Sequence, residues 1–338
     1  MSLQAVGRET GNRKMLVLVA AFSAVYIFWG STYLAIKYAI ETMPPFIMAG
    51  SRFLVAGGML LVISLFTKDF EMPTWRHWRT SLIVGTLLLL GGNGGVVFAE
   101  KYLSSSLAAL LVATEPFWIV ILSWVWLGNG RPSRRVVLGL VAGFIGVALL
   151  VIGQDTDATG SSSFYQMLAT ASIIVATMCW AAGSIYGLRA PVPRSSLLTA
   201  GMQMLAGGAV LMVASVPKGE WTSFDVSQVS TTSWLGLGYL IVFGSLIGFT
   251  AYSWLLKNAQ PSMVATYAYV NPVIAVFLGW GIAGESITGQ ILVGAAFVVI
   301  SVILVTMRSG NEKKQEGKDL PRSRISVHST NPGFSPSS

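Results

Sequence analysis

The second half of this chain repeats the first, and the repeated marks are polar residues set inside long apolar runs. Glu115-Pro116 lies in a run that follows Lys101, and Asn271-Pro272 lies in one that follows Lys257, with both pairs of marks 156 positions apart. At the same offset Ser106 and Ala109 fall on Ser262 and Ala265, while Ala56-Gly57-Gly58 falls on Ala206-Gly207-Gly208 at an offset of 150. Trp29 likewise falls on Trp180. Two halves with matched marks must fold to one local plan and then meet, and in a duplicated membrane protein a binding site forms where they meet, near the bilayer midplane.

The solvent of this chain is read from its charges. Only 11% of the 338 residues are charged and 53% are hydrophobic, against roughly a quarter charged in soluble domains. The net charge of +8 does not indicate nucleic acid, because Lys and Arg lie between the apolar runs and in the tail instead of forming a patch interleaved with aromatics. The single cysteine, Cys179, excludes an internal disulfide and a multi-thiolate metal site, and inside an apolar run it reads as a small hydrophobe. Arg8, Arg13 and Lys14 precede an apolar run from Met15 to Ile36. That run exceeds the core of a signal peptide, so it reads as a retained first span.

Apolar length and the Gly, Pro and charge breaks give spans near 15–37, 46–66, 81–99, 104–127 and 135–153. A second set lies near 167–188, 196–216, 233–256, 262–283 and 288–307. All ten are expected to be helices, since a helix satisfies its own backbone in lipid and the runs lack the alternation of barrel strands. The expected fold is therefore all-α and integral to the membrane. Lys and Arg mark the cytoplasmic loops. With both termini inside, eighteen of the 22 fall inside and only Lys101 and Lys218 outside, while Lys37 and Arg52 lie within or at the edge of spans.

Five spans per half is an odd number, so the second half crosses in the opposite sense and the repeats are inverted. The expected division is a cytoplasmic N-terminus at 1–14, a first five-helix repeat at 15–153, an external linker at 154–166 and a second repeat at 167–307. Residues 308–338 form a basic, disordered cytoplasmic tail with Pro321, Pro332 and Pro336. Glycines such as Gly57-Gly58, Gly207-Gly208 and the Gly139, Gly143, Gly146 row supply close helix contacts.

Ionisable groups in a span are costly, about 2.5–3.5 kcal/mol each on insertion scales, and so attract functional readings. Glu115 stands near the middle of the fourth span, Arg52 about a third of the way into the second, and Lys37 closes the first. The economical arrangement pairs Glu115 with Arg52 across an interior cavity, where the pair either pins helices or binds the charged ends of a zwitterionic solute. A titratable Glu115 is also a candidate for proton coupling. Pro116 and Pro272 are candidate hinges or kinks, because a mid-span proline frees a carbonyl that needs a partner or a wet cavity. Asn93 brings an amide into the Gly91-Gly92-Asn93-Gly94-Gly95 run, and Gln203 does so in the seventh span. Trp29, Tyr33, Trp180, Tyr186, Tyr267 and Tyr269 are candidate aromatic walls, Trp29 and Trp180 foremost because the repeat makes them counterparts.

These residues resemble the EamA type of the drug/metabolite transporter superfamily. The carrying stretches are Trp29-Gly30-Ser31-Thr32-Tyr33, Pro44-Pro45 with Arg52-Phe53, Gly92-Asn93-Gly94 and Ala113 to Pro116. Ser262 to Pro272, followed by Gly284-Glu285, completes the set. The resemblance covers about residues 15–307 and implies ten helices in two inverted five-helix repeats. It is strongest to bacterial inner-membrane exporters of amino acids and related metabolites, and implies a route lined by Trp29, Asn93, Glu115, Trp180, Tyr252, Tyr267 and Asn271. Glu115 departs from the uncharged residue that many relatives carry before the proline, and Asn129 stands where the second repeat has Glu285.

The expected activity is export of small organic solutes such as amino acids, metabolites or drugs, by alternating access, from the bacterial plasma membrane, as a monomer or a homodimer. A lipid or nucleotide-sugar carrier of the same plan is the alternative, with a channel behind it. An enzyme is not expected: the two histidines, His77 and His328, lie in a loop and the tail, and no Walker-type phosphate loop is present. No cofactor, metal or nucleic-acid partner is expected.

Overall fold

The computed structural model describes residues 15–127, 134–152, 163–259, 264 and 266–306. The N-terminal segment, most of the linker, the tail, Asn129 and the Ser262 and Ala265 marks lie outside the described residues, as does the side chain of Tyr269. The described residues are helical, with no strand among them. In chain order the main helices are α1 (Met15–Ala39), α2 (Pro45–Leu65) and α3 (Trp75–Ala99). Next come α4, in two pieces (Ser105–Val112 and Glu115–Leu127), and α5 (Arg134–Ile152). The second half supplies α6 (Ser163–Gly187), α7 (Ser196–Ser215), α8 (Thr231–Asn258), α9 (Tyr267–Ala283) and α10 (Gly289–Thr306). Seven stretches, in α1 to α4 and α6 to α8, are long and apolar enough to cross a membrane, and shorter apolar helices lie within α9 and α10.

Two element boundaries differ from the sequence expectation for local reasons. Helix α3 begins at Trp75, so Arg76, His77 and Arg79 lie on its first turns and not in a loop. The cause is a capping box: the Thr74 hydroxyl accepts from the His77 amide, and the Thr74 amide donates to His77 Nδ1. Helix α6 begins at Ser163, because Phe164, Tyr165 and Met167 extend its apolar run into the end of the expected linker.

Glycines fix how the halves pack. A Cβ on Gly57 would lie 2.8 Å from Leu205 N, and one on Gly208 would lie 3.0 Å from Leu54 N, so α2 and α7 touch along their backbones and run antiparallel. Gly85 does the same for α3, where a Cβ would lie 2.5 Å from Gln203 O. Helices α5 and α10 also run antiparallel: Gly146 packs on Gly294 O, and Ser301 donates to Gly139 O.

The exchange between halves is reciprocal. Glu220, just after α7, accepts from the Phe46 and Ile47 amides at the start of α2 (2.9–3.2 Å). Glu71, just after α2, accepts from the Arg194 amide ahead of α7 at 2.7 Å. Glu220 meets first-turn amides that have no partner within α2, and Glu71 meets an amide just outside the first turn of α7.

Candidate functional site

The site begins with a departure from regular helix. Thr86–Gly94 in α3 and Leu240–Phe249 in α8 are wound as π-helix, and so is Val25–Trp29 in α1. Wider turns of this kind open the backbone hydrogen bonding and recur at functional positions. The two long stretches occupy corresponding places in the two halves and are rich in glycine. Trp180 of α6 seats against Gly92 of α3, where a Cβ would lie 2.8 Å from its ring, and Trp29 of α1 seats against Gly248 of α8, where a Cβ would lie 2.6 Å from Nε1. Trp29 Nε1 donates to Gly244 O within the α8 stretch at 3.1 Å.

The two tryptophans then meet edge to face, with ring centroids 5.6 Å apart. Tyr252 and Tyr267 close around Trp29 at 4.9 and 5.4 Å. Above this aromatic cluster lies a cavity of about 80 Å³, room for about five waters by the space one ordered water needs. Of the sequence-derived candidates, Trp29, Tyr33, Arg52, Asn93, Glu115, Trp180, Tyr267 and Asn271 all line it. Tyr252 does not. It is buried on the far side of the cluster and lines a second cavity with Ser184, Gln203 and Lys257.

The expected Glu115 and Arg52 ion pair is not formed. Both side chains are buried on the same cavity, but the Tyr267 hydroxyl donates to Glu115 Oε2, while Arg52 Nε donates to Ser245 Oγ at 2.8 Å. Arg52 also lies over the Phe53 ring, 4.7 Å from its centroid. The π-wound stretch explains the separation, since it presents Ser245 to the guanidinium and keeps Gly244 bare, where a Cβ would lie 2.6 Å from Arg52 Nη2. Arg52 Nη1, Asn93 Oδ1 and Asn271 Oδ1 are buried with no hydrogen-bond partner among the described residues. Unmade bonds of this kind cost about 1–3 kcal/mol each and mark places for a ligand.

The prolines differ from each other. Helix α4 breaks at Ala113 and Thr114, and Pro116 is the second residue of the new piece, where a missing amide costs nothing. Pro272 stays inside α9.

Sequence reasoning missed a charged cluster at one end of the site. Helix α9 ends at Gly284 in the left-handed region (φ 65°), and the Glu285 amide returns to Gly279 O at 3.0 Å, which turns the Glu285 side chain back toward α4. Glu285 Oε1 accepts from Lys37 Nζ (2.9 Å) and from the Ser105 amide and hydroxyl (2.9 and 2.7 Å). Its Oε2 accepts from the Ser106 amide at 3.1 Å and from the Ser106 hydroxyl. Burial alone would raise this carboxyl, but the bonds from Ser106, Lys37 and Ser105 outweigh it and hold the pKa down at about 2 from 4.5. Gly284-Glu285 was visible in the sequence as a motif, but its contact with Ser105 and Ser106 required the fold. Glu100, buried just past the end of α3, was likewise passed over beside Lys101.

The profile of the EamA-like transporter family matches residues 15–152 and 167–307. The chain belongs to that family. EamA-type chains are membrane transporters of the drug/metabolite transporter superfamily, and this membership speaks for transport over catalysis. The chain is similar to the inner membrane transporter YedA of Escherichia coli (strain K12), with 36% identity over 297 residues, 87% of this chain and 92% of the relative. It is also similar to the transporter YvbV of Bacillus subtilis (strain 168), with 27% identity over 297 residues, 88% of this chain and 93% of the relative. A solved crystal structure shares the fold at a TM-score of 0.61 and 18% identity, covering 88% of this chain and 98% of that one.

Proposed function

We propose that this EamA-type chain exports a small zwitterionic solute, of the amino-acid class, across the bacterial inner membrane. The carrying observation is that Glu115 and Arg52 line one cavity without neutralising each other, with Arg52 Nη1, Asn93 Oδ1 and Asn271 Oδ1 unsatisfied among the described residues. A solute carboxylate fits the guanidinium, which binds planar anions through fixed donors. A solute ammonium fits Glu115 and the two amide oxygens, and the Trp29, Trp180 and Tyr267 rings suit a short apolar body. Tyr33 completes the wall, and Tyr252 supports the rings from the far side.

The proposed architecture is ten spans in two inverted repeats, 15–153 and 167–307, joined by an external linker at 154–166. Both termini are cytoplasmic, with the tail at 308–338, and the unit is a monomer or a homodimer. Antiparallel packing of α2 on α7 and of α5 on α10, with the reciprocal Glu71 and Glu220 caps, supports the inversion. Transport proceeds by alternating access, with Pro116 and Pro272 as the proposed hinges, and Glu115 is a candidate proton carrier.

The test is flux through vesicles holding the purified chain, using a panel of radiolabelled amino acids. Saturable flux selective within the panel is expected. Glu115→Gln should raise the half-saturation concentration about tenfold to a hundredfold, as loss of a charged hydrogen bond predicts. Flux that is linear in concentration and indifferent to the solute refutes the carrier; saturable flux that Arg52→Gln and Glu115→Gln leave unchanged refutes the site.

A further inference from the structure

Glu100 has no role in the solute site, and its surroundings are unusual. It follows the last turn of α3, with its amide bonded to Val96 O at 2.9 Å. The residue is 5% exposed, and neither carboxyl oxygen has a hydrogen-bond partner among the described residues. A negative charge at a helix C-terminus is opposed by the carbonyl dipoles, and a buried, unbonded carboxylate is more costly still.

The charged groups around Glu100 come from three other elements. Lys37 of α1, Arg52 of α2 and Glu285 after α9 act on it electrostatically. Tyr33 of α1 lies within the electrostatic reach of both Glu100 and Glu115. Other titratable groups at this end are the exposed Lys101 and Glu41, Glu220 on the Phe46 and Ile47 amides, Tyr102 stacked on Tyr165 of α6, and Lys218 over the Phe46 and Phe98 rings. In this state both cations are turned elsewhere: Lys37 to Glu285, and Arg52 to Ser245, with Nη1 left free among the described residues.

We propose that Glu100 is a proton-binding site whose occupancy sets the Lys37–Glu285 latch, a reading that rests on the chain being a carrier. With the proton bound, Glu100 is neutral, Lys37 stays with Glu285, and Glu285 holds the start of α4 through Ser105 and Ser106. When the O–H bond breaks, the electron pair stays on the carboxylate and the proton passes to water entering that end. The new carboxylate draws Lys37 Nζ and Arg52 Nη1, whose charges already act on it. Glu285 then loses its cation, and its grip on α4 weakens. One proton released accompanies one opening of this end.

The experiment uses the full chain in lipid nanodiscs and needs no solute. Infrared spectra across pH follow the protonated-carboxyl band in the wild type, Glu100→Gln and Glu115→Gln. Spin labels on cysteines at Phe164 and Ser286, in a Cys179→Ser background, report the distance between the start of α6, where Tyr165 stacks on Tyr102 just ahead of α4, and the segment that carries Glu285. The expected result is a band that fades as pH rises, survives Glu115→Gln and is missing in Glu100→Gln. The label distance should widen over the same pH interval and stay short in Glu100→Gln. A band untouched by Glu100→Gln, or a wild-type distance that ignores pH, overturns the proposal. Should Glu100→Gln fail to fold, Glu100→Asp carries the test, and a midpoint identical to the wild type overturns it. The carrier reading is judged separately: saturable flux beside a pH-insensitive latch sinks this inference alone, whereas a titrating latch without flux upholds it and sinks the carrier.

Discussion

Glu285→Gln is the sharpest test of the latch as a stabilising contact. The substitution keeps the shape of the side chain and removes the charge that Lys37 and the four Ser105 and Ser106 donors share. A fall in pKa from 4.5 to about 2 corresponds to about 3 kcal/mol in favour of the folded state at neutral pH. The Glu285 side chain is only 7% exposed but Lys37 is 34% exposed, so screening trims the figure to about 2–3 kcal/mol. The native value is depressed, so this stability is complete above about pH 4.5 and is lost as pH falls from there toward 2. The assay is thermal unfolding of the detergent-purified chain against pH, comparing wild type with Glu285→Gln. The variant should melt several degrees lower at neutral pH, with the gap closing through the acid range as the wild-type carboxylate is protonated. Equal melting temperatures at neutral pH, or a gap that persists unchanged into acid, would refute the reasoning.

Four further outcomes follow from glycine positions. Gly244→Ala places a Cβ 2.6 Å from Arg52 Nη2 and 2.9 Å from Thr32 Cγ2, so it should displace the guanidinium and lower vesicle flux about tenfold or more. Gly238→Ala, with nothing within 4 Å, should leave flux unchanged. Gly57→Ala drives a Cβ to 2.8 Å from the backbone of α7 and should cost about 1–3 kcal/mol in thermal unfolding. Its neighbour Gly58→Ala meets open space and should be neutral or slightly stabilising through helix propensity.

The helical elements and the polar lining of the cavity were legible for one physical reason: in an apolar run a polar side chain is expensive unless it faces other protein or a cavity. That argument places Glu115, Arg52, Asn93 and Asn271 inside, and the fold brings all four to one cavity. It says nothing about partners, which is why Arg52 was matched with Glu115 when Ser245 in a π-wound turn holds it instead. The π stretches themselves leave no compositional trace beyond glycines that are equally common in ordinary packing. Glu100 escaped because a carboxylate beside Lys101 at a span end reads as solvated loop; only the fold reveals that its oxygens are buried. Tyr252 came from the resemblance alone, and the fold sets it on the second cavity instead of the first.

The two ends of the cavity are closed by different kinds of contact, and this bears on direction. At the Lys37 end, opening must break an ion pair and four further bonds to Glu285. At the Lys257 end, the aromatic layer separates the first cavity from a second one of about 300 Å³, and the hydroxyl of Tyr252 meets Ser184 at 3.3 Å, a long bond. Aromatic rings that slide past one another keep much of their contact, whereas a carboxylate pulled from its donors loses charge-assisted bonds outright. The closure at the Lys37 end is therefore the costlier one to break, which favours opening at the Lys257 end. In the proposed orientation that end faces the cytoplasm, which agrees with the proposal that solute loads from inside and leaves once the latch yields. The same asymmetry makes the latch the place where a proton can do most to set the direction of the proposed transport.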